Sequence, residues 1–156
     1  MIIWLLLLLQ ALACEPFCPI DVSDVPDPRP HSFIADTADV LVPSAEARID
    51  EALRDIKNST GVEVAVVTVL TIDETPKDFA VALGNHWGLG DAKLDNGLII
   101  LLAMELRRLE MEQGRGMEEV LPATWLKKMQ ERKMVPLFKQ GDFAAGLEAG
   151  VLAVQD

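Results

Sequence analysis

Acidic and amide side chains stand at several chain reversals of this sequence, and their oxygen atoms could hold a divalent cation. Asp36 lies in an early loop, and Glu118 follows a Gly-Arg-Gly turn. Between them, three more candidates precede a long apolar run: Asp91, Asp95 and Asn96. Ca²⁺ prefers about six to eight hard oxygen ligands, and nearby glycines permit close backbone approach. We therefore predict a site for Ca²⁺ or another divalent cation formed by some of these five residues, and no organic cofactor.

Each of these residues also has an ordinary structural explanation. Asp36 could cap a turn, the Asp95-Asn96-Gly97 sequence could simply reverse the chain, and Glu118 could cap the next helix. The neighbouring Asp39 and Glu119 are expected to be solvated charges. No EF-hand spacing occurs, so a cation site would have to be assembled from separate loops.

Other catalytic chemistries find few residues in this sequence. The two cysteines are too few for a four-cysteine zinc site. Both precede the compact region, so no Cys-x5-Arg phosphatase loop exists. His86 stands at a predicted helix end, where a packing or capping role is more common than a role as base. Arg115 could hold a phosphate but is expected to be solvated. Hydrolysis assisted by a bound cation therefore remains as the route to enzyme activity.

The N-terminus has the pattern of an export signal. An apolar run, MIIWLLLLL, is followed by Gln10 and then by Ala11-Leu12-Ala13. The run is too short to span a bilayer core of roughly 30 Å as a mature helix. It has the length of a signal-peptide core, and Ala-Leu-Ala is a small-x-small cleavage pattern. We predict a signal peptide over residues 1–13 and a periplasmic or extracellular protein, although the leader lacks Lys and Arg. A buried N-terminal helix is the alternative.

Cleavage at this position would make Cys14 the first residue of the mature chain. Cys14 then resembles the modified cysteine of a bacterial lipoprotein, although Ala11 stands where a lipobox usually has Leu. A lipid on Cys14 would be the only membrane attachment that we expect. Alternatively, Cys14 could pair with Cys18 in an oxidising compartment.

The next segment is rich in proline. Five of the nine prolines fall between Glu15 and Pro30, and each disfavours helix at the residue before it. We interpret residues 14–32 as an extended tether and residues 33–156 as one compact domain. The formal charge of −11 and a pI near 4.5 oppose binding to a nucleic-acid backbone.

Apolar periodicity predicts the elements that position the acidic residues. Ser44 is a plausible N-cap for a helix that reaches Asn58, and a second helix begins at Thr75-Pro76. Buried strands are predicted over residues 62–70 and 98–104, and a half-exposed strand over 109–113 pairs with the latter as a hairpin. Closing helices follow around Trp125, with Pro136 separating two of them, and Trp87 and Trp125 are expected to be core anchors. The order α-β-α-β-β-α-α predicts an α/β/α sandwich with a mixed central sheet flanked by helices.

Five ordered blocks of the sequence resemble the TPM domain family, which includes exported bacterial proteins and a plant thylakoid-lumen protein linked to photosystem repair. The blocks are IADTADVL, TGVEVAVVTV, HWGLGDAKLDNGLIILLA, MEQGRGME and VPLFKQGDFAAGL. Two positions differ from the family pattern, since Arg115 replaces an aromatic residue and Ala123 replaces an Asp. The resemblance implies the same sandwich fold and a divalent cation bound by acidic residues at one end of the sheet. It also implies that phosphatase activity, which is attributed to part of the family, must be weighed.

These observations lead to one functional expectation with two alternatives. We expect an exported envelope protein that binds a divalent cation at its acidic loops and contacts a membrane or envelope protein partner, with little or no catalysis. A metal-dependent phosphatase of low turnover is the first alternative. A structural envelope module without metal is the second.

Overall fold

Four strands form a single mixed sheet in a computed structural model that describes residues 18–156. The first three strands run parallel, and the fourth returns antiparallel to the third. Their order across the sheet is the order along the chain: β1 (Ile34–Asp36), β2 (Glu63–Val69), β3 (Gly97–Ala103) and β4 (Arg108–Gln113). The predicted sandwich with a mixed sheet is confirmed. β1 was not predicted, because three residues are too few to show a strand pattern.

Two helices connect the parallel strands. The first, α1 (Pro43–Thr60), begins at Pro43, so the residue at its N-cap is Val42 and not the predicted Ser44. It ends at Gly61, whose φ of 76° is a conformation that glycine adopts at little cost. The second, α2 (Pro76–Trp87), begins where it was predicted, because the Thr75 hydroxyl accepts a hydrogen bond from the Asp78 N–H.

The sheet is covered on both faces. On one face, α1 and the C-terminal helices pack against side chains that include Val64 and Val66. On the other face, α2 packs against side chains that include Ile99 and Leu101. All four are buried in adjacent strands, as predicted. Burial of each such side chain contributes about 1.5–3 kcal/mol to stability, which fixes the sheet between its helical layers.

The C-terminal third is helical but is divided differently from the prediction. Pro136 does not separate two helices, because the chain remains helical through it and takes up a π-helical segment just before it. The wider π turn removes the need for the backbone N–H that proline lacks. The break comes instead at Gly141, after which Asp142 caps the last helix through the Ala145 N–H. The segments are α3 (Ala123–Met129), the π-helix Gln130–Met134, α4 (Val135–Lys139) and α5 (Phe143–Gln155).

The two tryptophans of the compact domain behave differently. Trp87 is a core residue with 8% of its surface exposed, as expected. The expectation that Trp125 is a core anchor is wrong, because 38% of its surface is exposed. Its helix instead buries Leu126 and Met129.

The segment before the sheet lies against the domain from Ile20 onwards. The Ile20 N–H donates to the Thr71 carbonyl over 3.0 Å. Val25 is 2% exposed, and its carbonyl accepts a hydrogen bond from the Trp87 indole. Residues 20–25 therefore pack on the α2 side of the sheet, and His31 and Ser32 form hydrogen bonds with α1 residues. The segment does not extend away from the domain as a tether would.

The predicted signal peptide and Cys14 lie outside the described residues. Cys18 is disulfide-bonded. From residue 18 to the C-terminus, no helix is both long and apolar enough to cross a membrane.

Candidate functional site

Residues 91–96, which we name the acidic loop, join α2 to the start of β3 and close on themselves. The Asp91 N–H donates to the Asn96 side-chain oxygen over 2.8 Å, and the Asp95 N–H donates to the Asp91 carbonyl over 2.8 Å. One carboxylate oxygen of Asp91 also accepts from the backbone N–H groups of Lys93 and Leu94. These bonds fix the conformation of the loop.

The Gly-Arg-Gly turn, residues 114–116, follows β4 and is hydrogen-bonded to this loop. We name this turn the clasp. The Gly116 N–H donates to the Asp95 carbonyl over 3.0 Å. The Arg115 N–H and its Nε both approach one carboxylate oxygen of Asp95, at 3.1 and 3.3 Å. A Cβ on Gly116 would lie 1.8 Å from the Leu94 carbonyl oxygen, and one on Gly114 would lie 2.2 Å from that of Asp95. The two glycines are therefore required for the close approach of the turn to the loop.

Asn96 supports the loop from inside. Only 7% of its surface is exposed, and its amide group donates to the Gly61 carbonyl while its oxygen accepts from Asp91. A buried amide must be hydrogen-bonded, and both ends of this one are engaged. Asn96 therefore ties the acidic loop to the end of α1.

Asp95 and Asp91 are the acidic side chains that the loop presents outward. Asp95 has a positive φ of 48°, a conformation that Asp tolerates better than most residues. Within residues 18–156, the second carboxylate oxygen of each aspartate accepts no hydrogen bond. Each therefore keeps one oxygen that could bind a cation.

Asp36 lies at the opposite end of the sheet. It stands at the carboxyl end of β1 opposite Thr68, whereas the acidic loop meets the amino end of β3, where Gly97 is opposite Glu63. Its carboxylate accepts hydrogen bonds from the Val40 and Leu41 N–H groups and from the Thr68 hydroxyl. The structure therefore does not bring Asp36 together with the other four predicted residues. Its contacts are those of a turn cap.

Glu118 is beside the clasp and exposed to solvent. Its backbone N–H closes the short 3₁₀ turn by donating to the Arg115 carbonyl over 3.3 Å. Its side chain forms no ion pair with another residue of the described chain. Across residues 18–156, no group of three or more His, Cys, Asp or Glu side chains is arranged to hold a metal.

Sequence reasoning missed a polar network beside the acidic loop. Glu63, at the start of β2, accepts from Arg29 and from the Gly90 N–H, both over 2.8 Å, and pairs with Lys57 over 2.5 Å. Arg29 also pairs with Asp27 and donates to the backbone at the end of α2. A lone charge opening an otherwise apolar strand was the signal that could have identified Glu63.

The network sets the charge state of Glu63. Burial would raise the pKa of this carboxyl, but hydrogen bonds from Lys57 and Gly90 and the pairing with Arg29 outweigh burial and lower its pKa. Glu63 therefore remains ionised and fixes both the acidic loop, through Gly90, and the N-terminal segment, through Arg29.

The fold and the clasped loop define an α/β domain with an acidic end, and comparisons with known proteins identify its family. The sequence matches the family model for the TPM domain over residues 34–156. The chain belongs to the TPM domain family. The comparison with curated proteins gave no match.

Solved structures agree with this assignment. The chain is similar to the solution structure of the N-terminal domain of a P. gingivalis protein, with 37% identity and a TM-score of 0.81 over 88% of this chain and 90% of that one. The BA42 protein from Bizionia argentinensis is 25% identical, with a TM-score of 0.65 over 74% and 79% of the two chains. The N-terminal domain of cg2496 from Corynebacterium glutamicum, 21% identical with a TM-score of 0.64 over 92% and 84%, shares the fold.

Proposed function

We propose that this protein is an exported envelope protein whose TPM domain binds a divalent cation weakly at the acidic loop and meets a protein partner at the same end of the sheet. The observation that carries the proposal is the closed loop that presents one free carboxylate oxygen from Asp91 and one from Asp95. A preformed loop loses little conformational freedom on binding.

The number of available ligands argues for low affinity. Two carboxylates with backbone carbonyls and water would give a weak Ca²⁺ site, with a Kd on the order of 10⁻⁴–10⁻³ M. Glu118 lies two residues after Gly116, which bonds to the Asp95 carbonyl, and could add a ligand through water. Arg115 opposes binding, because its guanidinium occupies the Asp95 carboxylate in the absence of a cation.

The surface around the loop suits a protein partner. Leu94 and Val120 are 63% and 71% exposed, and they flank the acidic positions Asp91, Glu118 and Glu119 in sequence. Apolar side chains rimmed by charge are a feature of protein interaction sites. The acidic rim favours a partner with a basic surface.

The phosphatase alternative needs a cleft beside the cation. The cavity next to Asp95, between α2 and β4, has a volume of only about 90 Å³, whereas small-molecule sites usually enclose about 300–1,000 Å³. This favours a binding role over hydrolysis.

Export and the state of Cys14 form the remaining part of the proposal, and the intact mass of the protein from its native host would test them. A mature chain that begins at Cys14, with or without lipid, is expected, and a chain that retains Met1 would contradict export.

The cation proposal is tested by thermal unfolding with Ca²⁺, Mg²⁺ and Zn²⁺. At a hundredfold excess over Kd, binding to the folded state adds about 2.7 kcal/mol, which raises Tm by about 5–10 °C for a domain of this size. Asp95→Asn keeps the positive φ and the contacts to Arg115 N–H but removes one ligand charge, so it should abolish most of the shift. Arg115→Gln removes the competing cation and should tighten binding by up to about fivefold.

Asp39→Asn is the matched control. Asp39 also has a positive φ, of 53°, and is exposed, but it follows β1 at the far end of the sheet. Its variant should leave the cation-induced shift unchanged. A wild-type Tm that none of the three cations moves at about 10 mM, a concentration well above the expected Kd, would show that the acidic loop is only a solvated turn.

A further inference from the structure

A large apolar groove lies at the other end of the sheet from the acidic loop. It opens between the β3–β4 hairpin and the helices α4 and α5, and it has a volume of about 880 Å³. We name it the carboxyl-end groove, because it adjoins the carboxyl ends of β2 and β3. Eight apolar residues line it: Leu70, Leu102, Ala103, Met104, Leu109, Val135, Phe138 and Phe143.

The groove walls are apolar side chains that the core leaves partly uncovered. Met104, Leu109, Phe138 and Phe143 pack against the main core but are only partly buried. The two phenylalanine rings lie 5.9 Å apart and form one wall. The carboxyl ends of parallel strands are where open α/β sheets commonly bind ligands, and the groove volume is within the range of small-molecule sites. The position, lining and size therefore indicate a binding site for an apolar ligand.

The charged residues at the groove favour an anionic group on that ligand. Arg107 and Lys139 line the groove together with a single acidic residue, Glu105, in a protein with a formal charge of −11. Neither cation forms an ion pair with any residue from 18 to 156. Both are exposed and can meet a ligand without first breaking a salt bridge.

We propose that the carboxyl-end groove binds a fatty acid, with its acyl chain along the apolar walls and its carboxylate at Arg107 and Lys139. A single apolar chain matches this lining, because its charged residues, Glu105, Arg107 and Lys139, are all exposed. One carboxylate matches Arg107 and Lys139, which we name the rim of the groove and which form no ion pair with a described residue. This function is separate from cation binding at the acidic loop, which shares no residue with the groove.

The first experiment is an NMR titration of the ¹⁵N-labelled protein with octanoate, decanoate and dodecanoate, each below its critical micelle concentration. Amide shifts should concentrate at the lining residues, with Gly141 and Leu109 as reporters. Each added methylene that enters the groove should lower Kd by about fourfold. Decanol has no carboxylate to pair with Arg107 and Lys139. It should therefore bind more weakly than decanoate, by about two- to fivefold for each of these two ion pairs.

Variants separate the contributions of rim and walls. Arg107→Asn suits the positive φ of 50° at this position, and together with Lys139→Gln it should remove the preference for decanoate over decanol. Arg108→Gln is the matched control, because Arg108 is an exposed neighbour that does not line the groove. It should leave both Kd values unchanged. Met104→Trp should fill the groove and weaken all the ligands, and Val135→Phe serves the same purpose if the tryptophan variant does not give a folded spectrum.

Several results would overturn the proposal. No saturable binding of dodecanoate would do so, as would a Kd independent of chain length, or shifts scattered over the surface. Attachment to anionic phospholipid vesicles without binding of monomeric carboxylates would instead indicate a membrane contact. Equal losses in the Arg108→Gln control and in the rim variant would show a general charge effect and not a site.

Discussion

The two ends of the sheet differ in what holds them together. At the amino ends of β2 and β3, hydrogen bonds fix nearly every turn, and the adjoining cavity has only about 90 Å³. At the carboxyl ends, half-buried apolar side chains surround about 880 Å³ of open volume. The acidic end is therefore ordered by specific polar contacts, and the groove end by packing that is incomplete.

This difference separates two ways of preparing a surface for a ligand. Polar contacts hold the acidic loop in shape but consume most of its donors and acceptors, so few ligand atoms remain. Incomplete packing leaves open volume and exposed apolar surface. The van der Waals contacts that are missing there form only when a ligand fills the volume. The amino end therefore suits a small ion or a protein surface, and the carboxyl end suits an apolar molecule.

A glycine at each end gives the largest test of this comparison. Gly116→Ala should destabilise the fold by about 3 kcal/mol or more, because its Cβ would overlap the Leu94 carbonyl at 1.8 Å and force the clasp apart. Gly141→Ala, beside the groove, has no atom within 4 Å of the added Cβ. It should cost only about 1–2 kcal/mol, for a residue with a side chain at its φ of 80°. Urea unfolding measures both changes.

An equal loss of unfolding free energy in the two alanine variants would contradict this comparison. It would show that the Gly-Arg-Gly turn accommodates a side chain as readily as the open loop before α5. Gly61→Ala supplies the reference value for backbone strain alone, because Gly61 also has a positive φ and no neighbour within 4 Å.

A glutamate at each end gives an intermediate effect. Glu63→Gln should cost about 1.5–3 kcal/mol at pH 7, because it removes the charge from hydrogen bonds with Arg29 and Lys57. Because the folded protein lowers the pKa of Glu63 from its ordinary value of 4.5, the wild type gains stability as the pH rises through this range. That contribution is lost as the pH falls through the lowered pKa. The cost of the substitution should therefore shrink in acid.

Glu105→Gln is the matched change at the groove end. Glu105 is exposed and forms no ion pair with a described residue, so its variant should remain within about 0.5 kcal/mol of wild type at both pH values. Chemical denaturation at pH 7 and pH 3.5 distinguishes the two glutamates. A cost for Glu63→Gln that does not depend on pH would assign its role to shape and not to charge.

Much of the fold could be predicted because it depends on local patterns. The runs around Val66 and Ile100 are apolar enough to be buried on both faces, and Thr75-Pro76 has the chemistry of a helix start. The errors arose where a neighbour in space decides the outcome. Pro136 suggests a helix break, but a π turn accommodates it, and Trp125 suggests a core residue although its helix turns other residues inward.

The candidate site was harder to predict, because residue type does not show which end of a strand a loop occupies. Asp36 and Asp95 both adjoin parallel strands, but Asp36 is the last residue of β1, whereas Asp95 precedes β3. β1 was too short to recognise, so this opposition was hidden. The Arg29–Glu63 pair joins residues 34 positions apart, and Arg29 lies in the segment that the prolines suggested was a tether. Such contacts follow from the folded arrangement and not from any local pattern.

The smallest expected effect concerns Glu112, which faces the acidic end from β4 and lines its small cavity. Burial raises the pKa of this carboxyl, Glu110 adds to the rise, and the nearest cation, Lys77, is 3.7 Å away and largely exposed. The folded protein therefore binds the Glu112 proton more tightly than the unfolded chain does. Stability is lost as the pH rises from the ordinary value of 4.5 through the raised pKa.

Glu112→Gln should therefore stabilise the protein at pH 7, by less than about 1 kcal/mol for a partly exposed group, and should make no difference at pH 3.5. Urea unfolding at the two pH values measures this, and Glu110→Gln shows how much of the gain comes from relieving repulsion between neighbouring acids. If Glu112→Gln were destabilising at pH 7, the Lys77 pair would outweigh burial. The acidic end would then gain stability from this charge, as it does from Glu63.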